Sequence, residues 1–276
     1  MRTSATAYYA YARGATYRET KAQKSCREQV SECFYFNRRR YGTRRIARQL
    51  KIGRAAVRAA MKREGLRAIA PKRFKPKTTD SEHGGRISPN LLQNGLTTPA
   101  GKGEVIVGDI TYLPVKGGGF CYLACFQDKF TRRIIGWRVS SRMTAQLVVG
   151  AFGQALRRGH LKRGAVIHTD QGSQYASTEY RRLLYIGGFQ QSMSRKGNCY
   201  DNAQAESFFS RFKAELVENG VFESVEEAKS EVFSYIEGYY NRIRLHSGIG
   251  YRSPLEFEKQ LENKQRSKES FVCGKT

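Results

Sequence analysis

Acidic side chains are scarce in this 276-residue chain: 24 Asp and Glu stand against 49 Lys and Arg, which leaves a formal charge of +25. That excess goes far beyond what solubility needs and suits a polyanionic partner, bound weakly without any specific site and with strong dependence on salt. Long apolar runs are missing as well. No stretch approaches the roughly eighteen apolar residues of a membrane span, and the start lacks the apolar core of a secretory signal, so no membrane partner is expected. Histidine is limited to four residues, and the six cysteines (Cys26, Cys33, Cys121, Cys125, Cys199 and Cys273) form no C-x-x-C pair, which argues against a structural zinc site. Cys121 and Cys125 fall in an apolar run, where their even spacing puts both on one face of a strand. Nothing requires an oxidising compartment, so a cytoplasmic location is expected.

What positive charge there is gathers at the front. Residues 1–78 carry 22 Lys or Arg against 4 Asp or Glu, or +18, and the other 198 residues supply only +7. Within that front, residues 44–50 read as a short helix, 51–53 as a turn and 54–65 as a second helix, with Ile46, Leu50, Val57 and Met61 at helical spacings. The pattern is that of a small helix-turn-helix unit. Arg44, Arg45, Arg48, Arg54 and Arg58 are its candidate DNA contacts, suited to phosphates, which position, more than to bases, which specify; a solvated basic face is the plainer alternative. Residues 1–66 are therefore read as a basic helical region and 67–103 as a connector. Pro71, Pro76, Pro89 and Pro99, with several glycines, interrupt any regular period there, and Lys72, Arg73, Lys75 and Lys77 form a basic run.

From Glu104 the texture changes. The run E-V-I-V-G-D-I-T-Y-L-P-V predicts a strand, residues 120–127 a second and 132–139 a third, joined in an antiparallel meander with a turn around Asp128 and Lys129. Residues 144–158 have helical spacing, 165–168 read as a short buried strand, 178–185 as a helix and F-Q-Q-S-M-S as a last strand. A helix follows, with Asp201 or Asn202 as its cap and Phe208, Phe209, Phe212 and Leu216 as its packing face. The order implies an α/β fold: a mixed five-stranded sheet with helices on both faces, preceded by a small basic all-helical domain. The core is placed at 104–220, and 221–276 is read as a C-terminal helical extension and tail.

Three acids stand out by placement. Asp109 interrupts an apolar strand, where a carboxylate is costly to bury without a partner. Asp170 follows the strand A-V-I-H-T, at the end where α/β folds present ligand-binding groups. Glu206 projects from a helix, two turns before Lys213 on the same face. Three hard carboxylates can hold two divalent ions a few ångströms apart, with Mg²⁺ or Mn²⁺ the consistent choice. His168 reads as a packed histidine at a strand end and Asp128 as a turn residue.

The local sequences around these acids go further. G-D-I-T-Y at Asp109, H-T-D-Q-G-S-Q-Y at Asp170 and G-N-C-Y-D-N-A-Q-A-E-S-F-F at Glu206 resemble the retroviral-integrase-like (DDE) transposases of bacterial insertion sequences, in the group whose catalytic half is encoded by a second, overlapping reading frame. The 35 residues between Asp170 and Glu206 match that family's interval, and Y-N-R-I-R-L-H-S-G-I-G-Y-R-S-P resembles its closing signature. The resemblance implies a ribonuclease-H-like integrase core, with Asp109, Asp170 and Glu206 as the metal-binding and catalytic triad and Lys213 at terminal DNA. It makes Gln171, Gly172, Ser173, Gln174 and Tyr175 the loop beside the active site, and Asp201 and Asn202 helix-capping support. Gln174, Arg195, Lys196, Arg242 and Arg244 join the candidate DNA contacts; for Asn241, Arg242, Arg244 and His246 the alternative is a helix end tied down by polar bonds. The chain departs from the family at Val107, where a tryptophan is common; its only tryptophan is Trp137.

The reaction implied has two steps. Water attacks a phosphodiester at an element end and frees a 3′-OH, which then attacks a second phosphodiester and joins strands, first linking the two ends of one element into a circle. Partners implied are double-stranded DNA (terminal inverted repeats and target), further copies of the chain, and an upstream-frame partner or fusion, since the chain starts without heptads of a zipper. A nuclease of the same fold that cuts without joining, and an inert DNA-binding relic of a transposase, remain as alternatives.

Overall fold

The computed structural model describes residues 4–14, 19–70, 85–93, 98–195, 203–216 and 221–273. The chain divides into two compact units, Met1–Ile69 and Ala70–Thr276.

The first unit holds four helices: α1 (Ala5–Ala12), α2 (Lys21–Phe36), α3 (Thr43–Leu50) and α4 (Arg54–Arg63). Thr20 starts α2 with a capping box, its hydroxyl accepting from the Gln23 N–H at 3.2 Å while its own N–H donates to Gln23 Oε1 at 3.0 Å. Val30, Cys33 and Phe34 of α2, Ile46 of α3, and Val57, Ala60 and Met61 of α4 are buried at helical spacing, as amphipathic helices packing together require. Lys51 takes a left-handed conformation at φ 55°, which ends α3 and turns the chain into α4. Arg27 joins Glu19 to Glu64 and so ties the start of α2 to the end of α4. The two basic helices occur as expected; α2, which completes their core, was not anticipated.

The second unit is built on a five-stranded sheet of β1 (Val105–Val115), β2 (Gly119–Asp128), β3 (Ile134–Ser140), β4 (Val166–Thr169) and β5 (Gln190–Met193), in the order β3-β2-β1-β4-β5. The first three strands form the antiparallel meander; β4 runs parallel to β1, and β5 parallel to β4. Residues along each strand alternate between faces. Ile106, Ala124, Phe126, Ile135 and Ile167 pack with α5 (Ala145–Arg157) and α7 (Thr178–Ile186), which follows the single turn α6 (Ser173–Ala176). Gly136 lets α5 approach, because a Cβ there would run into the Ala151 carbonyl oxygen.

On the other face, Leu113, Cys121, Leu123, Cys125, Ile134 and Val139 pack with α8 (Ala203–Leu216), α9 (Val225–Phe233) and a π-helical segment, Ser234–Tyr240. Residues after 220 are thus part of the core. Within the stretch read as a helical extension, the helix changes from α to π geometry at Ser234. The outer edge of β5 is covered by the preceding segment: the Leu91 N–H donates to Ser192 Oγ at 3.0 Å, and the Met193 N–H to the Pro89 carbonyl at 3.4 Å. The last helix, α10 (Pro254–Cys273), is anchored by the buried Glu258, which pairs with Arg133 at 2.5 Å. Among the described residues, no helix is long and apolar enough to cross a membrane.

Candidate active site

Strand register brings the two aspartates together. The parallel ladder between β1 and β4 aligns Val105 with Val166, Ile106 with Ile167 and Val107 with His168. Continued two residues past the last pair, that alignment brings Asp109 of β1 opposite Asp170, the residue after β4, and the Asp170 charge acts on Asp109. Gly108 makes the approach possible, since a Cβ there would sit 2.5 Å from the Phe126 ring and 3.1 Å from the Thr169 methyl. Asp109 is half-buried; its Oδ1 accepts from the Ile110 N–H at 2.8 Å, and Asp170 Oδ1 from the Gly172 N–H at 3.1 Å.

Glu206 stands exposed on the first turn of α8. Its charge reaches Asp109. Burial pushes the Asp109 carboxyl well above the usual carboxylate range, the Asp170 carboxylate pushes it further and Glu206 adds to this, while the Ile110 N–H and the Lys213 ammonium oppose. Partial burial raises Glu206 too. Among the described residues neither Asp109 nor Glu206 has a cation within ion-pair distance, and Lys213 acts on Asp109 only from further off. Lys213, half-buried on α8, lies with Nζ 4.9 Å from the centre of the Tyr112 ring, and burial lowers its pKa against the pull of Asp109. No three His, Cys, Asp or Glu residues among those described close around a single point.

A family model described as an integrase core domain matches residues 99–199, and a second integrase core domain model matches 206–261. The transposase for insertion sequence element IS904 of Lactococcus lactis subsp. lactis (strain IL1403) is 42% identical over 238 residues, 84% of this chain and 92% of that protein. The transposase InsF for insertion sequence IS3A of Escherichia coli (strain K12) is 38% identical over 265 residues, 94% of this chain and 91% of that protein. The chain belongs to the integrase-core transposases of insertion sequences. Among solved structures, the HTLV-2 integrase catalytic core domain in complex with magnesium (trimeric form) overlays with a TM-score of 0.44 at 14% identity, covering 58% of this chain and 99% of that one.

In this transposase the remaining candidate residues fall into distinct surroundings. Arg44, Arg48, Arg54 and Arg58 are exposed on α3 and α4, whereas Arg45 is half-buried over the Tyr41 ring at 5.4 Å. Arg195 and Arg242 are exposed. Gln174 is half-buried and donates to the Met143 carbonyl at 3.2 Å, bracing the loop after β4. Lys196, Asp201 and Asn202 lie outside the described residues.

Arg244 departs from the expected DNA contact. It is 2% exposed, and its guanidinium is taken up by Glu215 through Nε at 3.0 Å and Nη2 at 2.7 Å, so a structural ion pair replaces the phosphate contact. Asn241 is buried with it and bonds both ways to the Ile134 backbone, at 3.0 Å each, the polar tie that was the alternative for this signature.

His168 is buried in β4 with Nδ1 2.8 Å from Ser192 Oγ, and so packs inside the sheet. Asp128 organises the turn after β2. Tyr175, of the loop motif, is buried and its phenol is raised by burial and then by Asp170 and Asp109, which places it next to the acids. Two further residues belong to these surroundings. Tyr112 lies beneath Lys213, and Gln127 lies beneath the start of α8. The T-Y of the first motif was a signal for Tyr112; nothing local marks Gln127.

Proposed function

We propose that Asp109, Asp170 and Glu206 are the acids with which this transposase cuts DNA at the ends of its element and joins the freed 3′-ends to a new phosphodiester. The observation that supports the reading is the register of β1 and β4, which continued by two residues aligns Asp109 with Asp170, together with the charges of Asp170 and Glu206 acting on Asp109. The donor set fits a hard divalent cation. Mg²⁺ characteristically takes one or two protein carboxylates and completes its shell with water and phosphate oxygens, so an adjacent aspartate pair is enough to seat it without three residues closing on one point. Asp109 and Asp170 would hold the ion, Mg²⁺ or Mn²⁺, and Glu206 would help hold a second. Bound there, such ions activate the attacking oxygen and stabilise the leaving one.

The chain's own residues do the rest. The raised carboxyl of Asp109 marks a place where positive charge is favoured. Lys213, on the same face of α8 as Glu206, gives a cation for the terminal phosphate, its ammonium lying over the Tyr112 ring. Arg195, Lys196 and Arg242, with the loop carrying Gln174, supply further contacts near the core. Arg44, Arg45, Arg48, Arg54 and Arg58 supply phosphate contacts in the helical unit, where most of the net charge sits. The DNA is the element's terminal repeats and the target. Two ends must be held together, so the working form is a homo-oligomer on DNA, made alone or fused to an upstream-frame product, in the bacterial cytoplasm.

Metal occupancy tests the site. Crystals of the full chain equilibrated with Mn²⁺ are expected to show an anomalous scattering peak roughly 2.0–2.3 Å from oxygens of Asp109 and Asp170, and Asp170→Asn should remove it. A bound Mn²⁺ elsewhere, with none at these two residues, would overturn the assignment.

A further inference from the structure

An acid carried on a helix is placed only as well as the helix is, and α8 meets the sheet through Phe208, Phe209 and Phe212. Aromatic packing is non-directional, so the hydrogen bonds that α8 makes are what can specify its phase. Directional bonds are present at both of its ends. Two residues before Glu206, Gln204 Nε2 donates to Gln127 Oε1 at 2.9 Å, and Gln127 Nε2 in turn donates to Tyr240 Oη at 2.7 Å. Nine residues after Glu206, the buried Glu215 accepts the two-pronged Arg244 contact and the Tyr235 hydroxyl at 2.8 Å.

Tyr235, Tyr240 and Arg244 come from one short stretch. Its π-helical turns, with the Asn241 N–H donating to the Ile236 carbonyl and the Arg244 N–H to the Tyr239 carbonyl, each at 3.0 Å, bring residues five apart towards one side. The Tyr235 and Tyr240 rings lie 6.2 Å apart, one hydroxyl serving each end of α8. A buried Arg–Glu pair is weak evidence for stability, because apolar residues of similar volume often do as well; fixing a register is the better-attested use of one.

We propose that Tyr235, Tyr240 and Arg244 are positioning residues for Glu206: from the π-helical segment and the closing signature they clamp α8 at both ends and set the phase of its acid against Asp109 and Asp170. The proposal rests on the reading of Glu206 as the third acid.

The test uses the full-length transposase with Tyr240→Phe, Gln204→Ala and Arg244→Lys, and Glu206→Gln as reference. Tyr240→Phe removes only a hydroxyl and keeps the ring, so it remains informative if Arg244 variants fail to fold. Hydrogen exchange along α8, Mn²⁺ binding without DNA followed by the free-ion resonance signal, binding of an element-end duplex, and its cleavage are measured. Tyr240→Phe and Gln204→Ala are expected to leave duplex binding unchanged, to speed exchange in the first turns of α8, and to weaken Mn²⁺ binding and cleavage about 10- to 100-fold, the usual effect of losing an outer-shell support. Unchanged exchange, or unchanged Mn²⁺ binding, in both variants overturns the clamp. Glu206→Gln separates the two claims: if it cuts as well as the parent, the role of Glu206 falls, while α8 exchange still decides whether the helix is clamped.

Discussion

Burial and the cations Arg133, Lys102 and Arg158 hold the His160 imidazole down to about 4, against a small opposing pull from Glu262. In the unfolded chain the same ring titrates near 6.5. Between those values the unfolded state binds a proton that the folded state refuses, so stability rises with pH across the window: it is fully present above about 6.5 and lost as pH falls through about 4. Thermal unfolding from pH 4 to pH 7 should show that slope, and His160→Gln should flatten it; a variant with the parent's slope would show that His160 is not its source. Arg244 shows the limit of reading single residues from sequence. Its motif marks it as important, yet whether its charge meets a phosphate or Glu215 depends on a partner 29 residues away, and only burial decides.

At the scale of elements, the turn after β2 depends on one side chain. Asp128 is fully buried and accepts from the Gly103 N–H at 2.7 Å, the Phe130 N–H at 2.7 Å and the Thr131 N–H at 3.0 Å, joining the β2–β3 turn to the chain entering β1. Hydrogen bonds to a charged group contribute roughly 1.5–3 kcal/mol each, and orphaned buried donors cost more than absent ones, so Asp128→Ala should destabilise by at least that amount. Asp128→Asn keeps an acceptor for two of the donors and should lose less. Urea unfolding measures both, and an alanine variant with the parent's midpoint would contradict this role.

The strands around this turn were legible because alternation and turn residues are local signals, and the five strands and α5, α7 and α8 occur where the periodicity placed them, within a few residues. Helix α2 carries local signals as well, with T-K-A-Q as a capping box and Val30, Cys33 and Phe34 at helical spacing. The π-helical segment was not legible. Its apolar positions fit an α-helix as well, and the wider turn serves contacts with Gln127 and Glu215, which no local pattern contains. The acid motifs were legible as a set, while the register that puts Asp109 beside Asp170 comes only from strand pairing.

At the scale of the whole molecule, charge and chemistry are divided. The first 78 residues carry +18 of the net +25, and the acids lie among the other 198 residues, which carry only +7. A basic surface alone would bind DNA; neighbouring carboxylates alone would repel it. On the proposed reading, the two together make an enzyme that holds DNA by many weak phosphate contacts and presents one phosphodiester to a metal-dependent site. The direct measurement is a strand-joining assay with the full chain, Mg²⁺ and a labelled duplex carrying the element end. The account predicts a nicked end and a joined product from the parent, with Asp109→Asn abolishing both while duplex binding is kept. Cleavage without any joined product, or joining that survives Asp109→Asn, would contradict it.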